Sequence, residues 1–197
     1  YNLTLEYSNL RKMNIFFLHM IPRKCAEMHC NKHVVKMILE YAAILSTSHR
    51  FLDGEQTIVL SPKKRKLKRY IHPDAEMENQ LYKSTHVNHP CVVWARQSVL
   101  NYCWLYELFV YLCGEYTKRY HKIHLTEKKL KNVLIKIPKN IPIRAFTTFP
   151  QAMPDDVKSD SVVTAYWQYY RIHKKNIAVW KTPTSNIINL MENKNIG

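Results

Sequence analysis

Residues 22–45, PRKCAEMHCNKHVVKMILEYAAIL, constrain this chain most, because they carry two different faces at helical spacing. Pro22 suits a first turn, where its missing N–H is not needed. Cys30, Val34, Met37, Tyr41 and Leu45, with Ile38 and Ala42 beside them, form an apolar stripe. The pattern predicts one helix over 22–45 at the centre of a core. On another face Cys25, His29, His33, Lys36 and Glu40 follow at steps of four, four, three and four, stacking polar groups a turn apart. Packing alone does not call for that row.

A second long helix is expected over 91–120, with Val99, Leu100, Cys103, Leu105, Leu108, Phe109 and Leu112 as core candidates. Asn101, Glu107 and Glu115 interrupt it, and Arg96, Lys118 and Arg119 bracket it, so it is not read as a membrane span. Residues 14–20 read as a short strand or extended arm, 57–60 as a brief strand, and 74–82 as a short helix. A third substantial helix covers 125–134, and Pro138 and Pro142 keep 137–149 extended. A final helical unit spans 161–180. The fold class expected is mainly α, a single compact helical domain over 13–183 with two long core helices and little or no β. Residues 1–12 are expected to be a disordered extension ahead of Met13, taken as the natural start, and 184–197 a flexible, frayed tail.

The chain of 197 residues has 30 Lys+Arg against 15 Asp+Glu, a net charge of +15 that attracts a polyanion at long range. Nucleic acid, DNA in particular, is the expected partner; the bland reading is a lysine- and asparagine-rich proteome. The run SPKKRKLKR at 61–69 reads as a solvated charged loop available to phosphates, rather than a localisation signal. Three glycines rule out a phosphate-cradling glycine-rich loop. The five unevenly spaced cysteines argue against a disulfide scaffold and for a reducing, intracellular compartment.

The His/Lys row admits three chemistries. Lysine forms imines with aldehydes once its pKa is lowered, and Lys36 lies one turn from both His33 and Glu40, a nucleophile with neighbouring acid–base groups. His29 and His33 could share an ion, with Cys25 a turn earlier, but HxxxH without a glutamate beside the first histidine is weak as a metal motif. The row could also be buried polar structure. Lys36, His29, His33 and Glu40 are taken as catalytic, and no metal or cofactor is assigned.

AEMHCNKHVVKM, then NHPCVVWARQSVLNYCWLYELFVYLCGEYTKRYHKIH, then AYWQYYRIHKKNIAVWK resemble a family found in large DNA viruses and phages. More remotely, their order is similar to the phage pyrimidine-dimer DNA glycosylase (endonuclease V) family. That resemblance implies a compact helical domain whose first helix carries a histidine and a catalytic glutamate, with a Lys-Arg cluster ending a long helix and an aromatic tail. The histidine falls on His29, the cluster on Lys118 and Arg119, and the tail on Tyr166, Trp167, Tyr169 and Tyr170. The family's glutamate position falls on Lys36, with Glu40 the nearest acid. Its nucleophile, an N-terminal threonine amine, finds Tyr1 or Met13–Asn14.

The reading is a DNA-binding enzyme acting on an extruded base or abasic site, like a base-excision glycosylase/lyase. The alternatives are a non-enzymatic nucleic-acid-binding viral or phage protein and a base-modifying transferase. Nucleic-acid contacts are expected from Arg50, Lys63, Lys64, Arg65, Lys66, Lys68, Arg69, His86, His89, Trp94, Arg96, Lys118, Arg119, Trp167, Tyr170, Arg171, Lys174 and Lys175. In the last group, interleaved aromatics and cations serve base stacking or, equally, a tyrosine-rich core helix. DNA binding should fall roughly a thousandfold between about 50 and 200 mM salt, as expected for six or more phosphate contacts. A filter-binding series that stays flat across that range would remove nucleic acid as the main partner.

Overall fold

A computed structural model describes residues 13–192, so the expectations for 1–12 and for the last five residues of the tail lie outside the described part. In chain order the elements are α1 (Pro22–Met28), α2 (Asn31–Asp53), β1 (Glu55–Leu60), β2 (Lys66–Ile71), α3 (Ala75–Gln80), α4 (Pro90–Gln97), α5 (Val99–Tyr120), α6 (Leu125–Leu134), a 3₁₀ turn (Asp155–Val157), α7 (Val162–His173) and α8 (Ser185–Glu192). The architecture is mainly α, with one two-stranded sheet.

The expected helix over 22–45 is broken. His29 and Cys30 take extended backbone angles, ending α1 and opening α2. Neither Pro nor Gly stands at the break; tertiary partners hold it open. His29 Nδ1 hydrogen-bonds the Cys25 carbonyl at 2.7 Å, Arg119 donates to the carbonyls of His29 (2.8 Å) and Glu27 (3.0 Å), and Trp180 Nε1 donates to Met28 O at 2.9 Å. The carbonyls left over at a helix end are thus satisfied by distant side chains. The second long helix is also divided, at Ser98, which is extended and caps α5 by accepting from the Asn101 N–H at 3.1 Å.

Other boundaries follow local chemistry. Asp74 caps α3 with hydrogen bonds from the Glu76 and Met77 amides, Pro90 occupies the first turn of α4, and α5 ends on His121 in the left-handed region, with Lys118 and Arg119 in its last turn. α6 matches the expected third helix.

α2 is the hub, packing against α4, α5 and α6, while α1 packs along α5. Residues 14–18 form no strand. They run extended through the core, with Ile15 and Phe17 fully buried. Side chains take up their backbone polar groups: Phe16 N donates to Tyr41 Oη (3.2 Å), Cys25 Sγ to Phe16 O (3.1 Å) and Trp167 Nε1 to Leu18 O (3.0 Å).

The basic run is no free loop. Its second half is β2, paired antiparallel with β1 from Glu55↔Ile71 to Leu60↔Lys66, and Lys64 turns the hairpin at φ 55°. Gly54 joins α2 to this hairpin, where a Cβ would collide with Arg50 O and lie 2.9 Å from Ile71 O. The segment expected to fray instead carries α8, with Ile187 buried. All five cysteines are free, and no helix among the described residues is long and apolar enough to cross a membrane.

Arg50 fastens the hairpin exit to α2. Buried at the end of the helix, it donates to the carbonyls of Tyr70, Glu78, Leu81 and Tyr82 and pairs with the Glu78 carboxylate. Replacing it strands four carbonyl acceptors and a carboxylate together. Arg50→Met should cost about 3–5 kcal/mol, measured by urea denaturation; a loss under about 1 kcal/mol, the size of an exposed ion pair, would show the network to be dispensable.

Candidate functional site

The break divides the polar row. Cys25 and His29 belong to α1 and its end, whereas His33, Lys36 and Glu40 remain a turn apart on one face of α2. His29 is fully buried and bonded at both ring nitrogens: Nδ1–H donates to Cys25 O, and Nε2 accepts from Tyr41 Oη at 2.7 Å. Burial lowers its pKa to about 4, so the ring is neutral, and both nitrogens are occupied within the fold.

The other three members lie together. Lys36 Nζ sits 2.9 Å from Glu40 Oε1, with the lysine side chain 45% exposed and the glutamate 8%. Glu40 Oε2 is buried without a hydrogen-bond partner among the described residues. Burial raises the carboxyl pKa above the ordinary glutamate value, opposed by Lys36, by the Asn14 backbone N–H and by the charge of His86. His33 Nδ1 accepts from Tyr170 Oη at 2.7 Å, and burial first, then coupling to the His29 ring and the charges of Lys174 and Lys36, hold its pKa well below the histidine norm. Lys174, just beyond α7, is held below the ordinary lysine value by partial burial and then by the charge of Lys36. Position 14, α2, His86 and Lys174 thus act on one buried carboxyl. A half-buried amine beside a desolvated acid supplies the parts for nucleophilic and acid–base chemistry.

The expected nucleic-acid residues separate by exposure and by hydrogen bonding. Lys63, Lys64, Arg65, Lys66 and Lys68 on the hairpin, together with His86, Lys118 and Lys175, are exposed. Trp94, Trp167 and Tyr170 are buried in the core. Trp94 Nε1 donates to Thr147 O (3.2 Å), and Tyr166 and Tyr169 of the aromatic tail are buried as well. The tail is a core helix; its rings are not free for stacking. Arg69 donates to Ser84 O (3.0 Å), Arg96 to Val87 O (2.7 Å), and Arg171 to Leu190 O (2.6 Å). Arg50 and Arg119 are engaged as described above. His89 is half-buried and caps α4.

Sequence reasoning missed Asn14 as a neighbour of Glu40, because chain distance hid it. It also missed a cluster of His49, Asp53 and His72 whose ligand-type atoms lie within 4.8 Å of one another. The four-residue spacing of His49 and Asp53 was the available signal.

A family model for pyrimidine dimer DNA glycosylase matches residues 13–128, which is 116 of the 197 residues (128 − 13 + 1) and takes in α1 through the start of α6, but not α7 with its aromatic rings. No curated protein and no solved structure matches the chain. With more than half its length matched, the chain belongs to the pyrimidine dimer DNA glycosylase family, which makes its function DNA-glycosylase-like at the level of the family and nucleic acid its substrate class.

Proposed function

We propose that the protein is a DNA glycosylase and abasic-site lyase acting on a nucleotide extruded from the duplex, with Lys36 as nucleophile and Glu40 as proton acceptor and donor. The observation that carries this reading is the 2.9 Å contact between the Lys36 amine and a carboxyl whose pKa is raised by burial. A raised carboxyl is the better base, so Glu40 takes a proton from the Lys36 ammonium. The neutral amine adds to the aldehyde carbon of the abasic site. Glu40 returns the proton to the departing hydroxyl, water leaves, and an imine remains. Lys174 adds positive charge beside the phosphates of the extruded nucleotide, His33 borders the amine, and the exposed hairpin lysines contact the flanking backbone. Family membership supports the reaction class, and the base removed stays open to assay.

A second reading rests on Asn14, whose backbone N–H acts on Glu40. In a chain processed to begin at that residue, its terminal amine would face the same acid. Borohydride trapping on abasic DNA distinguishes the two. The adduct should map to Lys36 by peptide mass and should vanish in Lys36→Arg while persisting in Lys174→Arg. An adduct that survives Lys36→Arg and maps to the terminus makes the second reading correct, and a complete lack of adduct and of strand cleavage removes the lyase.

Glu40 also links catalysis to stability. A carboxyl whose folded pKa lies above its unfolded value favours the folded state at low pH, and that contribution is lost as pH rises through the folded pKa. Glu40→Gln should therefore abolish turnover yet be at least as stable as the parent at pH 8, with its advantage shrinking toward pH 4. Urea denaturation across that range checks the sign; a variant that loses stability relative to the parent as pH rises would contradict it.

A further inference from the structure

His49 and Asp53 sit one turn apart at the C-terminal end of α2, and the β1–β2 hairpin brings His72 back to face them. We infer that these three side chains form a binding site for a zinc-class divalent transition-metal ion. The site is separate from the Lys36–Glu40 pair, since nine residues of helix put His49 about 14 Å from Glu40 along the axis.

The hydrogen bonding around His49 prepares a ligand. Tyr102 Oη donates its proton to Leu134 O at 2.8 Å, so it accepts from His49 Nε2–H at 2.9 Å. The ring proton is therefore held on Nε2, and Nδ1 keeps a bare lone pair. That atom is buried with no partner among the described residues, in a residue 1% exposed. Metal-bound imidazoles hold their far N–H on an outer-shell acceptor, commonly a carboxylate, carbonyl or water, and here a phenol oxygen takes that place. An unfilled buried acceptor is otherwise costly.

The other two positions fit. The amides of Lys139 and Asn140 donate to Asp53 Oδ2 and Oδ1 at 2.8 and 2.9 Å, orienting the carboxylate while leaving it lone pairs. His72 Nε2, also buried and without a hydrogen-bond partner among the described residues, lies 4.0 Å from Asp53 Oδ2, too far for a hydrogen bond. Its Nδ1 accepts from Asp74 N at 3.2 Å, so coordination through Nε2 moves the ring proton to Nδ1 and gives up that long contact. Tetrahedral zinc with bonds near 2.0–2.1 Å spaces its ligands about 3.3 Å apart; the three atoms, within 4.8 Å of one another, close on the ion by side-chain rotation. Two imidazoles and one carboxylate suit zinc among the common divalent ions and leave a fourth position open. That position opens on a cavity of about 430 Å³, which Lys136 and Lys139 also line, so water or an anion completes the coordination.

The full chain, stripped with EDTA and dialysed, is titrated with zinc and, separately, with cobalt. One ion should bind per chain and raise the melting temperature, and cobalt should give visible d–d bands without the near-ultraviolet charge transfer of a thiolate. Asp53→Asn and His72→Gln should each weaken binding by more than roughly tenfold, while His121→Asn, at an exposed helix end, should not. Absence of stoichiometric binding by the unmodified chain, a thiolate charge-transfer band, or binding retained in both ligand variants overturns the site. The cobalt spectrum of the unmodified chain decides the matter even if a variant fails to fold.

Discussion

What surrounds the Lys36–Glu40 pair depends on the break at His29 and Cys30. An unbroken helix would leave no free carbonyls there; the broken one exposes several, and burying them unpaired would be prohibitive. Arg119 from the end of α5 and Trp180 from beyond α7 reach across to accept that role, while Asn31 N donates to Val179 O at 2.8 Å and Tyr120 Oη to Asn31 O at 3.3 Å. The break therefore recruits the end of α5 and the exit of α7 to one place. That recruitment brings Tyr170 and Lys174 to the row, and it turns His29 into an internal brace tied to Tyr41.

The brace has a further effect. Tyr41 Oη donates to His29 and accepts from Phe16 N, so the same hydroxyl that fills the second ring nitrogen of the histidine also holds the extended segment 14–18 against α2. Asn14 is fixed at the head of that segment, accepting from Ile15 N and Tyr166 Oη (both 2.8 Å) and donating to Ala152 O (2.8 Å). Its backbone amide is thereby fixed close enough to oppose the upward shift that burial gives the Glu40 carboxyl. The carboxyl is thus dehydrated by core residues yet kept within reach of cations, the balance that raises its pKa without removing its ion pair.

Much of the α content was legible in the sequence because it is written locally. Apolar periodicity located α5 and α6, and the spacing of His33, Lys36 and Glu40 survived because all three lie within α2. The features that were not legible are those decided by distant partners. No residue type at 29–30 announces a break; Arg119, some ninety positions away, makes it. Six cations in 61–69 suggested a solvated loop, whereas cross-strand pairing with β1 placed half of them in a strand. The aromatic row at 166–170 fits both a stacking surface and a core helix, and only the burial of Tyr166, Trp167 and Tyr170 decides between them. His72 joins His49 and Asp53 through the hairpin, a relation that no linear spacing encodes.

Arginine and lysine divide the labour of the positive charge. Arg50, Arg69, Arg96, Arg119 and Arg171 each donate to backbone carbonyls, and Arg96 additionally lies 3.9 Å over the ring of Phe51. A planar guanidinium with five donors is suited to this, and its weaker hydration lowers the penalty of partial burial. Lysine, a compact and strongly hydrated charge, has no comparable way to satisfy several carbonyls at once, and Lys63, Lys64, Lys66, Lys68, Lys118 and Lys175 stay in solvent. The net charge of +15 therefore overstates the part that reaches a ligand through forked, base-reading geometry. What faces outward is mostly a field of point charges, which holds phosphates without regard to sequence. Under the proposed function, discrimination among nucleotides rests on what fits beside Lys36 and Glu40, because Arg50, Arg69, Arg96, Arg119 and Arg171 are already engaged in holding backbone carbonyls.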